Sequence, residues 1–259
     1  MKNILKLTLP AVLFTLISGA VSAQQRVVEE SIVYDDPTVA RPGKWLFGAA
    51  VGAYYSNGDT AGNDTSGNTV YATQQYTQPQ ASAYIGYEDI TFLLRYQKSK
   101  ATTQFPGNTA EMDGSTYSID LRWLISQLGT KHFVPYVLAT YAQVTENTTF
   151  SYINNSGLRQ TGKFDANGPG LGFGGIIPIT EKYGIRADAR QYNAKSVNTS
   201  NMFSAFNSSS DIQYRQFQAT AYYNITEKIN LQLGGQSTYI VNRPQSTSYG
   251  MFSQIGYSF

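Results

Sequence analysis

The sequence predicts an all-β protein, a transmembrane antiparallel up-and-down β-barrel. Three observations predict it. Apolar and polar side chains alternate with a period of two over long stretches, tight connections alternate with long polar ones, and the chain ends on an alternating segment whose last residue is Phe259. In such a barrel one face of every strand meets lipid and the other meets the lumen, so a hydropathy window averages the two. No segment after the N-terminus approaches the roughly 20 apolar residues that a spanning helix needs.

The N-terminus reads as a secretory signal over residues 1–23. Lys2 and Lys6 make a charged start, Leu7 to Ile17 is apolar apart from Thr8, Pro10 and Thr15, and Val21-Ser22-Ala23 offers small residues for cleavage before Gln24. The apolar run is too short to span a membrane. Residues 24–43 form a polar lead-in with Glu29, Glu30, Asp35 and Asp36, closed by the turn signal Arg41-Pro42-Gly43. They are expected to be a flexible periplasmic segment, with a plug or an extra strand as the alternative, and residues 44–259 are expected to be the barrel.

Alternation starts at Lys44. Trp45, Phe47, Ala49, Val51, Ala53 and Tyr55 share one face, against Leu46, Gly48, Ala50, Gly52 and Tyr54 on the other. The same pattern returns at Tyr117–Trp123, Leu171–Ile177, Ile185–Arg190, Phe217–Ile225 and Ile229–Leu233. Glu88-Asp89, Thr180-Glu181-Lys182 and Thr226-Glu227-Lys228 are tight connections, and Ser126 to His132 is slightly longer. Asn57–Thr69, Ser99–Asp113, Glu146–Thr161 and Ser196–Ser210 read as long polar loops. Ten strands follow, over 44–56, 70–87, 90–99, 114–125, 133–146, 162–179, 183–196, 211–225, 228–241 and 247–259. Eight is the alternative count, because the segment around Pro79 and the last hairpin at Asn242-Arg243-Pro244-Gln245 alternate least clearly. Short turns belong to the periplasmic side and long loops to the extracellular side of such barrels.

Composition narrows the chemistry. The chain has 20 Tyr, 13 Phe, 23 Gly and no Cys. Aromatic rings suit the two interfaces of a membrane barrel. The lack of Cys excludes disulfides, thiolate metal sites and a Cys nucleophile. Of 19 basic and 17 acidic side chains, the signal carries two basic ones, Lys2 and Lys6, so the mature chain is formally neutral and no nucleic-acid partner is expected. No cofactor is expected. The single histidine, His132, lies in a periplasmic turn, too far from the long loops to serve as a base there. Asn57-Gly58-Asp59 through Asn63-Asp64 has oxygen ligands of the calcium type but lacks EF-hand spacing, and reads as an ordinary polar loop.

Alternation turns Arg95, Asp120, Arg122, Arg186, Asp188 and Arg190 inward. An Arg facing lipid at the midplane would cost ~2–4 kcal/mol, whereas inside the barrel these charges can pair. They are expected to form a salt-bridged polar core, or else to line a narrow conduit preferring anions, with Gln97, Gln218 and Gln232 as neutral lining. Phe150 and Tyr152, and Phe203 and Phe206, stand out in polar loops. They are expected to pack on the rim, or to anchor a partner.

At the C-terminus, Tyr249, Met251, Ile255, Tyr257 and Phe259 share a face. This ending resembles the signal by which the barrel assembly machinery recognises outer-membrane barrels, carried here by Ile255, Tyr257 and Phe259. The segment Gly170-Leu171-Gly172-Phe173-Gly174, with Ile179-Thr180 and Ile185–Tyr192, resembles a hairpin of the OmpA-like and opacity-type barrel families. The resemblance covers residues 44–259. It implies a Gram-negative outer-membrane barrel in contact with lipid and lipopolysaccharide, with polar loops that could meet a host or cell-surface ligand. No peptidoglycan-binding domain is expected after the last strand, so the resemblance is not taken to imply cell-wall tethering. The fold hosts adhesins, pores, enzymes and structural anchors alike. A non-enzymatic surface barrel is the first expectation, a narrow porin-like channel the second and a membrane-embedded enzyme the third. N-terminal sequencing of the protein recovered from outer membranes should begin at Gln24; a start at Met1 would show that the leader is retained.

Overall fold

The computed structural model describes residues 36–40, 43–63, 69–105, 108–152, 159–200, 208–241 and 243–259. They form ten strands: β1 (Trp45–Asn63), β2 (Thr69–Tyr87), β3 (Ile90–Phe105), β4 (Asn108–Leu124), β5 (Val134–Tyr152), β6 (Arg159–Pro178), β7 (Tyr183–Ser200), β8 (Ser208–Asn224), β9 (Ile229–Ile240) and β10 (Arg243–Ser258). Each pairs antiparallel with its sequence neighbours, and β1 pairs with β10 to close the barrel. Gly43 takes φ of 71°, a left-handed conformation open to glycine at little cost, as the chain turns into β1.

The register sets the size of the barrel. Directly paired residues lead from Trp45 through Tyr87, Ile90, Trp123, Val137, Phe173, Ala189, Phe217, Ser237 and Tyr249, and return to β1 at Asn57, twelve residues further along. With ~3.3 Å per residue and ~4.8 Å between strands, that stagger gives a tilt of about 40° and a radius of about 10 Å. An interior this narrow can be filled by side chains.

Alternation sorts the two faces as the sequence indicates. Trp45, Phe47, Val51 and Tyr55 are exposed on the outer wall, while Gly48, Ala50, Tyr54 and Ser56 are buried inside. Aromatic residues mark two levels of this wall. Trp45 packs against Tyr87 near the short turns, at a centroid distance of 4.8 Å, and Tyr96 packs against Tyr117 at 4.9 Å on the far level. From Trp45 to Tyr55, or from Tyr257 to Tyr249, the levels are about 20–25 Å apart at this tilt. That matches the apolar band of a transmembrane barrel.

One expectation is corrected. The stretches read as long loops are largely strand: β1 runs to Asn63, β3 to Phe105, β4 starts at Asn108, β5 runs to Tyr152 and β7 to Ser200. Above the apolar band both faces of the wall are mostly polar, so alternation disappears although the hydrogen-bonded ladder continues. Of the lead-in's described residues, Gly43 is exposed while Asp36–Ala40 are buried in the manner of a plug, with Asp36 and Thr38 bonded to lumen-facing arginines. The signal region and residues 24–35 lie outside the described residues.

Inside the wall, large rings sit over glycines on the neighbouring strand. Tyr84 is paired with Gly48, Tyr136 with Gly174, Tyr222 with Gly184 and Phe252 with Gly234. A Cβ at Gly174 would lie 2.6 Å from both Cζ and Oη of Tyr136, so the ring could not keep its place. Gly174→Ala should therefore destabilise the barrel by about 1–3 kcal/mol in a urea titration in lipid vesicles. Gly162→Ala, where the nearest atom is a backbone oxygen at 3.7 Å, should leave the midpoint unchanged.

Candidate functional site

The inward charges named from the sequence are brought together with one exception. β4 supplies Asp120 and Arg122, and β7 supplies Arg186, Asp188 and Arg190; all five are buried. Two-residue spacing on each strand puts these side chains on one face. Arg190 bridges two carboxylates, with Nε donating to Asp188 Oδ1 at 2.6 Å and Nη1 donating to Asp120 Oδ2 at 2.8 Å. The other carboxylate oxygens are also met: Thr140 donates its hydroxyl to Asp120 Oδ1 at 2.6 Å, and Tyr136 donates to Asp188 Oδ2 at 3.0 Å. Arg122 lies over the Tyr136 ring, 4.9 Å from its centroid.

The lead-in completes this network. Arg186 Nη1 donates to both Asp36 oxygens, at 2.8 and 2.7 Å, and to Thr38 Oγ1 at 2.6 Å. Arg122 Nη1 donates to Thr38 Oγ1 at 3.0 Å. The Thr38 amide N–H and hydroxyl both donate to Asp36 Oδ1, closing a tight local turn. Burial by itself would raise the Asp36 pKa, but Arg186 and Arg122, aided by the Thr38 bonds, outweigh it and hold the carboxyl below its usual range. Ala40 lies close to Gly86, beside the β2–β3 turn, which places the segment at the short-turn end of the lumen.

The sequence reading missed Asp36, Thr38, Tyr136 and Thr140. The signal available for Asp36 was charge balance, since four inward arginines faced only two inward aspartates. Arg95 is the exception in the cluster. It faces the lumen on β3, but among the described residues it makes no ion pair and no side-chain hydrogen bond. Gln97, Gln218 and Gln232 do line the lumen beside it. The lumen cavity at Arg95 measures only about 10 Å3, room for one water-sized occupant. A larger hollow of about 760 Å3 lies on the wall between Phe173, Phe217 and Tyr249, all exposed on the apolar outer face.

The remaining candidates lie away from this network. His132 is exposed in the connection between β4 and β5. Ile255, Tyr257 and Phe259 are exposed on the outer wall, and the Phe259 amide donates to the Phe47 carbonyl at 2.8 Å across the β1–β10 seam. Phe203, Phe206 and Asp64 lie outside the described residues, as do the side chains of Asn57, Asp59, Asn63, Phe150 and Tyr152.

No protein-family model matches the sequence, and no curated protein matches it. Solved structures match the fold. The outer membrane protease OmpT from Escherichia coli superposes with a TM-score of 0.55 at 10% identity, covering 87% of this chain and 100% of that one. The translocator domain of the autotransporter NalP from Neisseria meningitidis gives 0.51 at 11% identity, covering 84% and 89%. At such identities the likeness is one of fold, that of an outer-membrane barrel, and the OmpA-like resemblance rests on the sequence motifs alone. Asp188→Ala would leave Arg190 with one carboxylate and the Tyr136 hydroxyl with only the Ala187 carbonyl, at 3.3 Å, as acceptor. A cost of about 3–5 kcal/mol is expected in urea unfolding, with Tyr136→Phe adding less in that background than in the native protein.

Proposed function

We propose that this protein is a closed, non-enzymatic barrel of a Gram-negative outer membrane, a scaffold that displays polar strand ends and loops on the cell surface. The filled lumen is the observation that carries this reading. A salt-bridged core and the Asp36–Ala40 segment occupy the interior, and the cavity beside them has room for about one water. The outer wall supports the membrane location, because its exposed apolar band between two aromatic levels has the height of a hydrocarbon core. By this reading the short-turn end is periplasmic, and the leader and the closing Ile255, Tyr257 and Phe259 serve export and assembly.

The strand lengths support surface display. A tilted strand crosses a membrane in about 9–11 residues, whereas β1, β2 and β5 have 19 and β6 has 20. The surplus carries the wall about 20 Å beyond the outer aromatic level. This rim would meet lipopolysaccharide and any ligand on another cell. OmpT is a protease, but here the lone histidine is exposed in a connection at the opposite end of the barrel from this rim.

Single-channel recording of the refolded mature barrel in a planar bilayer tests the reading, with heat-shifted gel mobility to show that it has folded. No conductance steps are expected from folded protein at pH 7. Stable, repeatable steps with anion preference would overturn the closed scaffold in favour of the narrow channel.

A further inference from the structure

The described inward charges balance in number but not in place. Arg95, Arg122, Arg186 and Arg190 face Asp36, Asp120 and Asp188, and the fourth inward carboxylate, Glu146, stands beside Gly114, four residues further along β5 than Ala142 at the level of Arg95. Arg122, Arg186 and Arg190 are held in the network, by Thr38, by Asp36 and by Asp120 with Asp188. Arg95 is not, and it lines the small cavity. Amides are prominent in its surroundings, Gln80 and Gln97 on its own side with Gln218, Gln236 and Gln254 across the space. They stand among hydroxyl, apolar and arginine side chains that include Tyr54, Ser82, Leu93, Phe252 and Arg186. Gln97 Nε2 donates to Gln80 Oε1 at 2.9 Å. Gln80 Nε2 is buried and has no partner.

A buried N–H without an acceptor costs about 1–3 kcal/mol, and an unpaired cation costs more. Here Gln80 and the half-buried Arg95 line one cavity, and no carboxylate pairs with Arg95. Gln218 strengthens the case. Its Nε2 donates to the Thr220 hydroxyl at 3.3 Å, while its Oε1 is buried without a donor. A hydroxyl both donates and accepts, so a half-turn of this amide keeps the Thr220 bond and brings N–H groups to where Oε1 lies.

We propose that the Arg95 cavity is a binding site for one monatomic anion of the halide class, chloride in the cell, held by the Arg95 guanidinium and the Gln80 Nε2 amide. The size of the cavity selects a monatomic ion over phosphate, sulfate or an organic acid. Single charge matches the one arginine that has no carboxylate partner. The bound ion supplies the missing acceptor and a counter-charge for Arg95, so it acts as a structural part of the barrel.

Two measurements on the refolded mature barrel test the site. In urea unfolding from lipid vesicles, chloride is compared with gluconate at equal ionic strength. The unfolding constant should fall about tenfold for each tenfold rise in chloride above the dissociation constant. Arg95→Gln should lose this dependence. If that variant does not refold, Gln80→Leu keeps the cation and removes one donor, and should weaken the chloride effect about ten- to a hundredfold. In crystals soaked in bromide, an anomalous peak should lie within hydrogen-bond distance of Arg95 and Gln80. Equal stability of folded protein in chloride and gluconate overturns the proposal. So does a cavity filled by water alone or by a carboxylate from residues 24–35, and a bromide peak without chloride-dependent stability would mark an adventitious ion and overturn it as well.

Discussion

The rest of this molecule depends on a constraint of charge solvation. Four guanidinium groups lie on the inner wall of a barrel about 10 Å in radius, three of them buried where little water remains to solvate them and the fourth, Arg95, half-buried. Each must find a carboxylate, a hydroxyl, an aromatic face or a bound ion. Arg190 finds Asp120 and Asp188, Arg186 finds Asp36, and Arg122 finds Thr38 and the Tyr136 ring. The same requirement draws Asp36 into the lumen and helps to fill the interior. Breaking such a network leaves charges uncompensated, which is why buried pairs are costly to interrupt even where forming them gains little.

The wall is shaped to hold this core. Stagger fixes the radius, and within it large rings fit only where the facing strand offers a glycine. Tyr136 is the clearest junction of the two demands. It lies over Gly174, its ring faces Arg122, and its hydroxyl donates to Asp188. Small residues on the inner face are thus the counterpart of the large polar side chains beside them. Outside, the order is reversed: apolar side chains are exposed because lipid is their solvent, and a residue such as Leu171, at 70% exposure, would be anomalous on a water-soluble sheet.

Much of the fold was legible in the sequence. Period two identifies strands wherever one face is apolar and the other is not, so every strand end on the short-turn side agrees with the structure within two residues. At the other end the signal fails. Beyond the apolar band, Ser99–Phe105 and Asn108–Asp113 are mostly polar, and their few apolar residues, such as Ala101 and Met112, are too sparse to distinguish strand from loop. They pair because the ladder already formed below them continues, a tertiary cause.

The site was legible in part. The sequence by itself determined the two faces of each strand, and therefore that Arg95, Asp120, Arg122, Arg186, Asp188 and Arg190 point inward, because a side chain on a strand has only two directions. It also determined that these six charges could not balance among themselves. Only the tertiary structure decided which pairs form, because Arg190 and Asp120 are 70 positions apart and meet through the closed register of intervening strands. It decided that Asp36, 150 positions from Arg186, returns into the barrel to supply the third carboxylate. It decided, too, that Arg95 faces a small amide-lined cavity, since shear, and with it the room inside, is a property of the closed sheet and of no single strand.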